Sequence, residues 1–163
     1  MQLEVALADR TRWSAIGLCP IEKAVAVVGS RPAMLILREA HYGTHRYDDF
    51  VERVGLAPAT AAGHLKALVE HGLLERRPYQ EPGDRERDGY ALTEAGVDLM
   101  PILIGLFSWG VKHAGGNDQL EFAHTTCGSR VEARVECSAG HAVSVDEVEV
   151  RQVRRGRSAR KAR

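Results

Sequence analysis

The chain has 163 residues, 44% hydrophobic and 27% charged, with 22 basic against 22 acidic side chains. That is ordinary globular composition with enough length for one principal core and a small appendage, and three cysteines do not make a disulfide framework. The balanced charge excludes nucleic-acid binding through bulk charge. Seven of the basic residues and no acidic ones lie in 151–163, so residues 1–150 hold 15 basic against 22 acidic side chains, a net −7. A DNA contact by the folded part must then use a local basic patch. Met1–Ala8 contains Glu4 and lacks the apolar run of a signal peptide. Leu99–Val111 contains Pro101 and falls short of the ~20 residues of a membrane span. A cytoplasmic protein with no membrane partner is expected.

Residues 1–14 read as an N-terminal arm. Pro20 suits a first helical position, and Ile21–Val28 follows as a short apolar helix ended by Gly29-Ser30-Arg31-Pro32. Ala33–Tyr42 reads as a second helix and Arg46–Val54 as a third, with Tyr47, Phe50, Val51 and Val54 at helical spacing. After the turn Gly55-Leu56-Ala57, Pro58 opens a fourth helix running to His71, and Gly72 stops it. Leu73–Tyr79 and Gly89–Leu92 read as the strands of a hairpin around a polar turn. Thr93 is an N-cap for a last long helix, Glu94–His113, which Pro101 should kink or restart. Gly115-Gly116-Asn117-Asp118 is a linker, and the alternation across His124–Val150 predicts short strands. Residues 15–114 are thus assigned to the main domain, 115–150 to a β-rich extension and 151–163 to a solvated basic tail.

Two short helices meeting across a three-residue turn, followed at once by a hairpin, make a winged helix-turn-helix. The fold class is α+β, mainly α, with a two-stranded wing. On Pro58–His71, Ala61, Ala62, Leu65, Leu68 and Val69 project to one side, while Ala59, Thr60, Gly63, Ala67 and Glu70 fall opposite, flanked by His64 and Lys66. Small residues allow close approach to a major groove, and a helix N-terminus favours phosphate. Ala59, Thr60, Gly63, His64 and Lys66 are the candidate groove residues. Arg85 and Arg87 at the hairpin tip and Arg76 on its first strand are candidate backbone or minor-groove contacts. The plainer alternative is a solvated turn in which Asp84, Glu86 and Asp88 pair with these arginines.

Cys19-Pro20-Ile21-Glu22, Val28-Gly29, Leu35-Ile36-Leu37-Arg38 and Tyr47-Asp48-Asp49-Phe50 resemble the HxlR-type winged helix-turn-helix regulators. So do Leu56-Ala57-Pro58, Gly72-Leu73-Leu74-Glu75-Arg76, Tyr90–Gly96 and Trp109-Gly110, so that the resemblance covers roughly residues 15–113. It implies a bacterial or archaeal regulator that binds double-stranded operator DNA as a homodimer, with the flanking helices as dimerisation helices. Leu99, Leu103, Leu106, Phe107 and Trp109 are the interface candidates it points to, with core burial as the equal alternative. Such regulators commonly carry an arginine just before Leu65, where this chain has His64. An imidazole lacks the bidentate guanine contact that arginine makes. Occlusion of an operator by a repressor suits a small dimer without an activation module. A protein-interaction module, or a metal- or redox-responsive sensor, is the alternative reading.

Some members of this family carry a redox-sensing cysteine where Cys19 stands; the other reading is an inert interface thiol. His124-x2-Cys127 and Cys137-x3-His141 form a candidate zinc set, since tetrahedral zinc accepts two Cys and two His. Otherwise they belong to a ribbon held by its own strands, and no cofactor is expected. No Gly-rich phosphate loop, nucleophile elbow or helical HExxH appears, so an enzyme is not expected.

Overall fold

Phe50 is the centre of the larger of two units, and the helices around it follow from where apolar residues recur. The computed structural model describes residues 1–14, 16–80, 87–116 and 119–153. Its backbone divides into Gly17–Ala133 and a second unit of Met1–Ile16 with Arg134–Arg163.

In the larger unit, α2 (Pro20–Val28) begins at Pro20 and buries none of its side chains. Ser30 caps α3 (Arg31–His41) by accepting from the Ala33 amide at 3.2 Å, and Pro32 fits the first turn, which starts the helix two residues earlier than its apolar pattern does. α3 buries Ala33, Ile36 and Leu37. α4 (Tyr47–Val54) buries Phe50 and Val54 and ends at Gly55, whose left-handed φ of 67° a larger residue rarely adopts. α5 (Pro58–Glu70) buries Ala61, Leu65 and Leu68. Ile36, Leu37, Phe50, Leu65, Leu68 and Leu74 are fully buried and form the core, each stabilising the fold by roughly 1.5–3 kcal/mol.

β2 (Leu74–Tyr79) pairs antiparallel with β3 (Arg87–Leu92), with Leu74 opposite Leu92 and Tyr79 opposite Arg87. The expected turn Gln80–Asp88 lies largely outside the described residues, and Arg85 with it. The expected single helix Glu94–His113 is two: α6 (Glu94–Val97) and α7 (Met100–His113). Pro101 sits in the first turn of α7, where its missing N–H costs nothing, so it restarts the helix instead of kinking it.

In the smaller unit, β1 (Gln2–Leu3) pairs in parallel with β4 (Glu149–Val150), α1 spans Val5–Ala8 and a 3₁₀ turn spans Val145–Glu147. The first residues are therefore a strand partner of the C-terminal segment and not a free arm. The strands expected across His124–Val150 reduce to β4 and two isolated bridges, Ala123 to Arg130 in the larger unit and Glu136 to Ala142 in the smaller. Tight turns at Gly128 and Gly140, both with left-handed φ, leave each side too short for a ladder.

The β3–α6 junction is closely packed. Thr93 donates its hydroxyl to the Gly72 carbonyl at 2.6 Å and accepts from the Gly96 amide at 3.1 Å. Gly96 is buried so closely against the Leu73 carbonyl that a Cβ there would collide with it. Gly96→Ala should therefore destabilise the domain by about 1–3 kcal/mol, read as a lower midpoint in urea unfolding; an unchanged midpoint would show that the joint yields.

Candidate nucleic-acid interface

The buried stripe of α5 is narrow: Ala61, Leu65 and Leu68, one residue per turn. Pro58, Ala59, Thr60, Ala62, Gly63, Lys66 and Glu70 are exposed, and His64 is half-buried. The expected outer residues Ala59, Thr60, Gly63 and Lys66 are thus brought together on the solvent side. Two assignments shift. Ala62 belongs to the outer face, and His64 and Ala67 turn partly inward, because one apolar residue per turn is enough to anchor the helix to α3 and α4.

The N-terminal end of α5 is electrostatically open. Its N-cap is Ala57, which has no side chain to cap the helix. The Ala61 amide bonds the Ala57 carbonyl at 3.0 Å, but the Ala59 and Thr60 amides precede the first intrahelical bond. Such orphan donors at a helix N-terminus suit a phosphate. Tyr47, the first residue of α4, donates its hydroxyl to the Pro58 carbonyl at 2.7 Å. Helical spacing groups Tyr47 with Phe50, Val51 and Val54 and says nothing of its hydroxyl; the available signal is the phenol itself, which needs a polar partner when its ring is buried.

On the hairpin, Arg76, Arg77 and Arg87 are exposed. Arg76 reaches Asp88 at 3.5 Å, Arg77 reaches Glu75 at 2.6 Å, and on α5 Lys66 reaches Glu70 at 3.6 Å. Exposed pairs of this kind contribute about 0–1 kcal/mol, so phosphate oxygens can displace the carboxylates.

The remaining candidates fall elsewhere. Cys19 is half-buried at the N-cap of α2. Leu106 and Trp109 on α7 are 52% and 60% exposed. Leu99 and Leu103 are half-buried, with Leu99 against the core, and Phe107 packs edge-on to Phe122 at 5.0 Å. His41, Tyr42, Met100, Phe107, Leu120, Glu121 and Phe122 line a mainly apolar cavity of about 470 Å³, to which neither α5 nor the hairpin contributes.

The candidate zinc set occurs as two separate pairs. His124 Nδ1 is 3.1 Å from Cys127 Sγ in the larger unit, and Cys137 Sγ is 3.6 Å from His141 Nδ1 in the smaller. Each pair supplies two of the four ligands that tetrahedral zinc takes. Among the described residues no group of three or more His, Cys, Asp or Glu side chains is placed to hold a metal ion. Hydrogen bonds from Ser129 and then His124 bring the Cys127 thiol down to about 7, and backbone amides of His141 and Ala139 lower Cys137. Lowering favours the thiolate, the nucleophilic form. The iodoacetamide rate at Cys127, followed by peptide mass spectrometry, should rise to half its maximum near pH 7. A midpoint at an ordinary thiol value of ~8.5 would contradict the assigned hydrogen bonds.

With this geometry in hand, the likeness to known proteins is specific. The HxlR-like helix-turn-helix family model matches residues 27–118. The uncharacterised HTH-type transcriptional regulator Rv3095 of Mycobacterium tuberculosis is 36% identical over 120 residues, covering 72% of this chain and 75% of its own. The regulator sll1512 of Synechocystis is 30% identical over 111 residues, covering 68% and 76%. Among solved structures, PA1607 superposes with a TM-score of 0.71 at 28% identity over 86% of this chain and 97% of its own. PA1374 of Pseudomonas aeruginosa gives 0.56 at 31% identity over 86% and 94%. The outward face of α5, the hairpin beside it and the matched residues agree: this chain belongs to the HxlR-like helix-turn-helix family and is a DNA-binding transcriptional regulator of winged-helix fold.

Proposed function

We propose that the chain works as a homodimeric cytoplasmic repressor that occupies operator DNA, with α5 in the major groove and the β2–β3 hairpin as the wing. The observation that carries the reading is the bare end of α5. Ala59, Thr60, Ala62 and Gly63 are small and exposed, so the helix backbone can approach base edges closely. The uncapped amides of its first turn suit one phosphate. Lys66, Arg76 and Arg87 suit others, and no arginine on α5 reads guanine in the bidentate manner.

Dimerisation is supported by apolar surface that the isolated chain leaves open. α2 exposes Ile21 and Val25, and α7 exposes Met100, Ile102, Leu106 and Trp109. α7 buries Ile104 and carries apolar residues around most of its circumference. The run Glu94–His113 has the length and hydropathy of a membrane span, but Asp98 and Leu99 interrupt it as a helix. A partner helix therefore suits it better than lipid. Two copies joined through these helices would present two α5 helices to successive major grooves, and a repressor then acts by excluding other proteins from the site.

Gel shifts on the promoter next to the chain's own gene test the reading at two salt concentrations. Lys66→Ala should weaken binding to all duplexes and flatten the salt slope by about 0.9, the value for one phosphate contact. His64→Ala should change which base is preferred at one position instead; equal losses on specific and random DNA for both variants would defeat that split. Leu106→Asp should convert the dimer to a monomer in light scattering and weaken operator binding by at least tenfold, whereas a wild type already monomeric at micromolar concentration would remove dimerisation from the account.

A further inference from the structure

α5 meets DNA with the part of it that the core does not hold. Its first buried residue is Ala61, and Pro58, Ala59 and Thr60 project beyond it, fully exposed and without a side-chain cap. The hairpin has the same difficulty, since Arg76, Arg77 and Arg87 are exposed on its two strands. Base recognition requires both elements to be held in one frame.

Three consecutive residues where the α3–α4 loop enters α4, His45, Arg46 and Tyr47, meet this need. His45 accepts the Tyr90 amide of β3 at 2.8 Å, so this short segment lies beside the hairpin as a third strand would. The His45 ring stands edge-on to Tyr79 at 5.2 Å, and the Arg46 guanidinium lies 5.9 Å from the centre of the Tyr79 ring. Gly89 is buried against the same segment: a Cβ there would meet the His45 carbonyl and the Tyr79 ring, each at 3.0 Å. The next residue, Tyr47, packs its ring on the core and hydrogen-bonds the Pro58 carbonyl at 2.7 Å. His45 and Arg46 thus hold the wing, and Tyr47 holds the overhanging end of α5.

We propose that His45–Tyr47 is a positioning element that locks the DNA-reading helix to the wing, with the Tyr47 hydroxyl setting the α5 end and the Gly89 contact setting the wing. The element acts through the groups that touch DNA. It rests on the reading of α5 and the hairpin as the DNA contact surfaces. Tyr47→Phe keeps the ring in the core and removes one hydrogen bond, so the fold survives while the helix end loosens. Gly89→Ala pushes the hairpin away from His45 and leaves α5 in place.

Quantitative binding to operator and to random duplex, with hydroxyl-radical footprints and thermal unfolding of each variant, tests this. Tyr47→Phe should lose about threefold to tenfold in operator affinity, the worth of one net hydrogen bond. Its random-duplex affinity should be unchanged and its unfolding temperature lower by no more than a few degrees, so the specificity ratio falls. Gly89→Ala should lose backbone protection where the wing lies while the central protection remains. Operator affinity equal to wild type in Tyr47→Phe would overturn the proposal. So would a proportional loss on both duplexes accompanied by a lower unfolding temperature, which marks a role in stability alone. Failure of the wild type itself to bind any duplex would instead overturn the DNA-binding surface on which the proposal rests.

Discussion

Everything at the proposed DNA surface depends on how little of α5 the core takes. Leu65 and Leu68 join the cluster built on Phe50, Ile36 and Leu37, Ala61 is buried one turn earlier, and no other residue of α5 is buried. A broader apolar face would draw the helix into the domain and leave too little of it to enter a groove. The small residues serve both sides: Ala61 lets α5 seat closely, and Ala59, Ala62 and Gly63 keep its outer surface thin. Stability and recognition are therefore divided by helical phase, and the division is visible at single residues.

The same economy appears in the charge. A folded part with more acidic than basic side chains still displays Lys66 on α5 and Arg76, Arg77 and Arg87 on the hairpin, three of them paired with carboxylates. Exchange of a surface carboxylate for a phosphate costs little, so the pairs steady the side chains without occupying them. Affinity built this way is sensitive to salt, and sequence preference must come from close approach, from the half-buried His64 and from DNA shape.

Much of this was legible in the chain itself, for stated reasons. The three-residue turn before Pro58, the glycine after His71 and the change of period at Leu73 are local signals, and the helix pair and hairpin appear where they indicate. The phase of α5 was nearly right. Ala62 was misplaced because alanine carries almost no hydrophobic signal, so a projection cannot say on which side of the stripe it lies. Pro101 allowed a kink or a restart, and the structure has a restart. The pairing of Gln2–Leu3 with Glu149–Val150 was invisible because two-residue strands distant in sequence leave no periodic trace. Tyr47 was hidden for another reason: a tyrosine at a core spacing looks like any core aromatic until the position of its hydroxyl is known.

Amide hydrogen exchange in the presence and absence of operator duplex tests the central claim most directly, because it reports on the backbone of α5 without altering any residue. The account predicts new protection at Ala59–Gly63 and in the β2–β3 strands around Arg76 and Arg87, with residues 134–153 unchanged. Protection confined to α7 or to the smaller unit, with the first turn of α5 exchanging as in the free protein, would contradict it.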